Sequence, residues 1–99
     1  MRFVKWTFPI QNIPQAPERI EIVTGWKSGD FGFHKVKKMW VATDLCSGTR
    51  VCKFPTRKEC LAWCEENAAH IEVRRLEPAY ITMVMNFRQF IEEELKNLV

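Results

Sequence analysis

A chain of 99 residues that is 46% hydrophobic, with four Trp and seven Phe, carries enough apolar surface for one folded domain and is not the composition of a disordered segment. No run approaches the roughly 18 apolar residues of a membrane span, and the start, Met1-Arg2-Phe3-Val4-Lys5-Trp6, lacks the apolar core and small-residue cleavage site of an export signal. A cytoplasmic, soluble protein with no membrane partner is expected. The net charge is +3 but unevenly spread: residues 1–54 carry nine Lys/Arg against four Asp/Glu, and residues 55–99 carry six against eight. That asymmetry suits a polyanion partner, with ordinary solvated surface as the plainer explanation.

Residues 2–10 set Phe3, Lys5 and Thr7 against Val4, Trp6 and Phe8, the period of two of a strand, which Pro9 should end. Residues 11–17, with Pro14 and Pro17, read as an extended connector. Residues 18–24 alternate again, Ile20, Ile22 and Thr24 against Arg19, Glu21 and Val23, and predict a second strand. From Gly25 to Phe33 three glycines interleave with Trp26, Phe31 and Phe33, which predicts a mobile loop that either exposes aromatics for binding or folds its rings back over the core. The Gly29-Asp30-Phe31-Gly32 segment lacks the spacing of a phosphate loop.

The densest basic run, His34-Lys35-Val36-Lys37-Lys38, leads into a third strand at Met39–Asp44. Asp44 and Gly48 bracket a turn, the Asp as an acceptor for nearby N–H groups and the Gly as the residue that tolerates positive φ. Such a loop commonly joins a hairpin with a bulge. Arg50-Val51-Cys52-Lys53-Phe54 returns as the fourth strand and Pro55 closes it. Thr56-Arg57-Lys58-Glu59 has the form of a capping box, and Leu61, Cys64, Ala68 and Ile71 follow at helical spacing with Cys60 and Trp63 broadening the stripe. Residues 71–76 fit a continued helix or a short strand equally. Pro78 then opens a helix to about Asn97, on which Tyr80, Val84, Phe87, Ile91, Leu95 and Leu98 share a face. The pattern predicts one α+β domain over residues 1–99: an antiparallel sheet of about four strands with two helices packed on it.

For function, Lys35, Lys37, Lys38, Arg50 and Lys53 with Trp40 and the Trp26/Phe31/Phe33 stretch form a candidate basic, aromatic-bearing face, the ingredients of a single-strand nucleic-acid platform. Lysines that protect an edge strand from aggregation explain the same residues without a ligand. The cysteines run C-x5-C-x7-C-x3-C. Only Cys60 and Cys64 have zinc-like spacing, so a site of Cys46, Cys52, Cys60 and Cys64 is a minor alternative to free thiols acting as small hydrophobes. No cofactor is implied. His34 and His70 form no catalytic or metal-binding spacing, and no nucleophile or nucleotide fingerprint occurs, which points away from an enzyme.

The segment from Phe54 to Cys64 resembles the last helix of Kunitz-type inhibitor domains, but four cysteines in place of six and the missing upstream Gly-Gly-Cys depart from that pattern. A wider stretch, Trp40-Val41-Ala42-Thr43-Asp44 with Gly48, Val51, Phe54, Thr56, Lys58 and Glu59, resembles a hairpin–helix pattern of small uncharacterised proteins encoded by bacteriophages and integrative elements. The likeness covers about a third of the chain and implies an accessory role, such as inhibition of host defence machinery. The expectation is therefore a non-enzymatic binding protein of phage or mobile-element type that engages a protein partner or nucleic acid. The alternatives are a zinc-stabilised structural module and a homodimer formed through Tyr80, Val84, Phe87 and Ile91.

Overall fold

Period-two alternation, tight turns and a capped amphipathic segment produce a meander followed by helices. The computed structural model describes residues 3–11 and 20–97. Among them are five strands, β1 (Val4–Gln11), β2 (Ile20–Ser28), β3 (Phe31–Val36), β4 (Met39–Asp44) and β5 (Thr49–Phe54), and three helices, α1 (Arg57–Glu66), α2 (Ala68–Arg74) and α3 (Pro78–Asn97). The strands form one antiparallel sheet in the order β1-β2-β3-β4-β5, so the fold is α+β.

The extra strand comes from the segment expected as a loop. β2 runs on through Gly25 and Trp26 to Ser28, and Phe31–Val36 returns as β3, paired Trp26 with Phe33 and Ser28 with Phe31. Only Gly29, at φ 60°, serves the turn. The other two glycines make room. A Cβ on Gly32 would lie 2.7 Å from the Phe8 ring, and one on Gly25 would lie 2.1 Å from the Phe33 carbonyl oxygen. In this stretch glycine marks close approach inside a sheet, not mobility.

β1 also runs past Pro9, which pairs with Ile22. The strand lies at the sheet's edge, where a residue with no N–H can be accommodated. Of the connector expected over residues 11–17, Gln11 is the last residue of β1 and the rest lies outside the described residues.

The sheet is curled. β2 pairs with β1 over Ile20–Lys27 but with β3 only over Trp26–Ser28, and the end of β1 swings to the β4–β5 turn. There the Gln11 N–H donates to the Gly48 carbonyl at 2.7 Å and the Gln11 side-chain amide to the Ser47 carbonyl at 2.7 Å. This turn behaves as its residues demand. Asp44 Oδ1 accepts from the Cys46 N–H at 3.0 Å, Gly48 takes φ 70°, and a register shift follows between Ala42 and Thr43.

α1 begins at the expected cap. The Thr56 hydroxyl accepts from the Glu59 N–H at 3.2 Å, while the Glu59 carboxylate accepts from that hydroxyl at 2.9 Å in place of the Thr56 N–H. The helix breaks at Asn67 and resumes as α2, which settles residues 71–74 as helix. α1 covers β4 and β5, burying Phe33, Ala42, Cys60 and Cys64 with Trp26, Phe31, Trp40 and Phe54 against them.

α2 and α3 are fixed differently, through charge. Asp44, 2% exposed, lies under the α2–α3 junction. Its carboxylate accepts from Arg75 Nη2 at 3.1 Å and from the Tyr80 hydroxyl at 2.5 Å. Arg75 Nη1 reaches Asp30 in the β2–β3 turn at 3.3 Å and Glu72 at 3.1 Å. Nearby, Phe87 packs its ring against Gly48, where an added Cβ would meet it at 2.5 Å. Removing one partner of a buried pair strands the other charge, at a cost of about 3 kcal/mol. Arg75→Ala should therefore lower the unfolding free energy by about 3 kcal/mol in a urea titration. A loss near that of an exposed pair would place the anchoring of α3 elsewhere.

Candidate functional site

Strand alternation divides the expected basic, aromatic face between the two sides of the sheet. Phe33 pairs with Ala42 and Ala42 with Cys52, which puts their side chains on the α1 side together with Trp26, Phe31 and Trp40. Phe33 is fully buried, and the other three rings pack against the core. The Arg57 guanidinium of α1 lies over Trp26 at 5.4 Å and over Trp40 at 5.7 Å. These aromatics hold the helix to the sheet and do not present stacking faces beside Arg50 and Lys53, a correction to the combined face. The rings do fold back over the core, the other outcome foreseen for this stretch. Lys35, opposite Trp40, belongs to the α1 side and is exposed. Lys37, at φ 57°, and Lys38 form the exposed β3–β4 turn.

Arg50 and Lys53 belong to the other, concave side. Lys53 pairs with Val41, and Val41 with His34. The inward curl of β1 turns this side into a cleft of about 380 Å³. Ile10, Val36 and Val41 supply its apolar surface, and Gln11, Thr43 and Thr49 its neutral polar groups. Arg50 and Lys53 supply its charge, and among the described residues no carboxylate lines it. Among the described residues every ion pair is made by Arg75, so these two cations have no acidic partner. Arg50 also borders a smaller cavity of about 120 Å³ beneath α2 and α3, beside Asp44, Tyr80 and His70.

His34 is the residue that sequence reasoning missed. It is 6% exposed, lies edge-on to the Phe8 ring at 6.0 Å, and lines the cleft. Its Nδ1 is sealed from solvent with no hydrogen-bond partner among the described residues. Burial pushes its pKa below the ordinary value, against a smaller opposing pull from Glu21. A basic tract that enters a strand puts its first residue on the concave side only through strand register, so the one signal available was the alternation of His34 and Val36 with Phe33 and Lys35.

The cysteines separate as well. Cys52, Cys60 and Cys64 gather beneath α1, whereas Cys46 is exposed in the β4–β5 turn. Cys60 Sγ donates to the Trp40 carbonyl at 3.3 Å, and burial pushes its thiol up to about 12. Cys52 Sγ donates to the Cys60 carbonyl at 3.8 Å, and the influence of the Cys52 and Cys64 thiols on each other pushes the first up and the second down. Among the described residues no three His, Cys, Asp or Glu come together in a group able to hold a metal ion, which corrects the four-cysteine alternative. Of the stripe expected to pair two copies, Tyr80 and Phe87 turn inward to Asp44 and Gly48, and Val84 and Ile91 are partly buried. Among the described residues no helix is long and apolar enough to cross a membrane.

An imidazole whose pKa is lowered on folding binds its proton more tightly in the unfolded chain. Stability should therefore be fullest above the unfolded value of about 6.5, fall as the pH drops through it, and level off below the lowered folded value. Urea midpoints of the protein and of His34→Gln, compared between about pH 8 and pH 5, check this. The natural protein should lose more stability over that interval than the variant, and parallel curves would show that His34 keeps its ordinary pKa.

Comparison of the chain with protein-family models, with curated proteins and with solved structures finds no match to any of them.

Proposed function

We propose that this is a non-enzymatic binding protein that takes a phosphate-rich polyanion, a single strand of nucleic acid, along the concave side of its sheet. The observation that carries the reading is the pair Arg50 and Lys53, both exposed and set on a cleft, with neither an acidic partner nor a lining carboxylate among the described residues. Unpaired cations on a concave surface focus the field toward an incoming anion, so they act on its encounter as well as its hold. Lys37 and Lys38 extend the positive surface, because their turn follows Val36, which itself lines the cleft. Stacking is not part of the mode of binding. The Trp26, Phe31, Phe33 and Trp40 rings lie on the α1 side, and affinity comes from phosphate contacts and is largely independent of sequence.

An acidic protein segment would meet the same cations, and salt dependence with defined oligonucleotides separates the two partners. Binding of a short single strand should weaken steeply with salt, with a log–log slope of roughly −0.7 for each phosphate neutralised. Arg50→Glu with Lys53→Glu should abolish measurable binding at moderate salt and leave the thermal midpoint unchanged. Lys37→Glu with Lys38→Glu should weaken it and flatten the slope. An oligonucleotide that fails to bind even at low salt would overturn the nucleic-acid reading, and capture of an acidic peptide by the same cations would then define the partner.

A further inference from the structure

The cleft holds more than a track of positive charge needs, and we propose that it is an end-group pocket: it seats a terminal phosphomonoester together with the first nucleoside-sized body attached to it. This rests on the anion-binding reading above and names the chemical group that the concave side selects.

Three features point to that group. The first is charge. Among the described residues Arg50 and Lys53 make no ion pair and no carboxylate lines the cleft, so two positive charges are available on it. A phosphodiester within a strand offers one negative charge, whereas a phosphomonoester carries about −1.5 to −2 near neutral pH and three acceptor oxygens. Arginine offers a fork of donors and lysine a compact ammonium, a pairing suited to one oxyanion with several oxygens.

The second is His34. An imidazole that is 6% exposed, with Nδ1 sealed and unpartnered among the described residues, is a polar group whose hydrogen bonding the chain leaves incomplete. Buried polar groups are nearly always satisfied; Nδ1 itself is closed to the cleft, so a ligand meets the remaining atoms of the ring and completes Nδ1 only if the imidazole turns. His34 shares the concave side with Lys53, both flanking Val41 across the sheet, so an anion held by the lysine lies on the imidazole's side of the sheet.

The third is size and lining. About 380 Å³ falls at the low end of small-ligand pockets, whose range is about 300–1,000 Å³. It exceeds what a lone inorganic anion fills, and Ile10, Val36 and Val41 would have no use for such an anion. They fit the apolar face of a sugar-and-base body. Gln11 contributes a fixed polar edge, since its side-chain N–H is given to the Ser47 carbonyl and nothing among the described residues donates to its side-chain oxygen.

A terminal phosphomonoester occurs at the end of a strand and on a free mononucleotide, and the two sources are separable with the full chain. Calorimetric titrations would use adenosine 5′-monophosphate, adenosine, inorganic phosphate, and one short single strand with and without a 5′-phosphate. The phosphorylated member of each pair should bind about ten-fold tighter or more, as expected for charge-assisted hydrogen bonds made to one end group. Lys53→Gln, at an exposed position, should remove that advantage without changing the melting temperature, and His34→Gln should reduce it. A gain confined to the mononucleotide identifies a free small ligand, and a gain confined to the strand identifies a strand end. Either supports the pocket. Equal binding with and without the phosphate, alongside a steep salt slope, overturns the end-group pocket and leaves the polyanion reading standing. If no strand binds at low salt but adenosine 5′-monophosphate binds with the expected advantage, the polyanion reading falls and the pocket survives. Inorganic phosphate that binds as tightly as adenosine 5′-monophosphate overturns the part played by the apolar wall.

Discussion

The carboxylate of Asp44 is the group on which the arrangement of the helices depends. A charge that is almost entirely removed from water is tolerable only when paired and hydrogen-bonded. Here three donors converge on it: the Cys46 N–H from its own turn, the Arg75 guanidinium from the end of α2, and the Tyr80 hydroxyl from the start of α3. Because Arg75 also reaches Asp30, a single cation ties the β2–β3 and β4–β5 turns to the helical half of the chain. α1 is held by dry packing on the sheet, whereas the α2–α3 junction is held by direction-dependent contacts that specify one geometry. Burial and the bond to Asp44 keep the Tyr80 phenol protonated, and so a donor to the carboxylate, well beyond its usual range.

The same β4–β5 turn closes the other side of the molecule. Ser47 and Gly48 accept from Gln11 on β1, and that contact curls the sheet. A flat meander would offer two open faces. The curled one offers a convex side covered by α1 and a concave side deep enough to enclose His34 and Thr43. His34 and Thr43 are thus buried on the side opposite α1, His34 with the Phe8 ring edge-on to it. Gly32 and Gly48 share in this, the first by admitting the Phe8 ring and the second by admitting Phe87.

Much of the fold is legible along the chain because it is encoded locally. The Asp44–Gly48 turn, the Thr56 cap, the end of β5 at Pro55 and the start of α3 at Pro78 each follow from the conformational preferences of one or two residues. The stretch from Gly25 to Phe33 is misleading for an equally physical reason. Glycine serves turns and close packing alike, and only knowledge of what lies opposite, here Phe8 and the Phe33 carbonyl, separates the two uses. The candidate site divides in the same way. Arg50, Lys53, Lys37 and Lys38 are recognisable as cations without acidic neighbours in the chain. Nothing local says that Trp26, Phe31, Phe33 and Trp40 belong to the opposite side, since a side chain's face depends on pairing register as well as on spacing.

By itself the sequence determined the class of the domain, the β4–β5 hairpin, the α1 cap and the extent of α3. These rest on short-range terms: alternation, turn chemistry, capping and the fixed φ of proline. The tertiary structure alone decided that three thiols meet under α1 while Cys46 stays apart, that Arg75 and Tyr80 close on a buried carboxylate, and that His34 joins Arg50 and Lys53 on a cleft. Those outcomes depend on sheet curvature and on contacts between residues far apart in the chain, such as Asp44 with Tyr80 and Gln11 with Gly48. Such contacts are selected by the burial and pairing of charge over the whole domain, a constraint that no single stretch of residues carries.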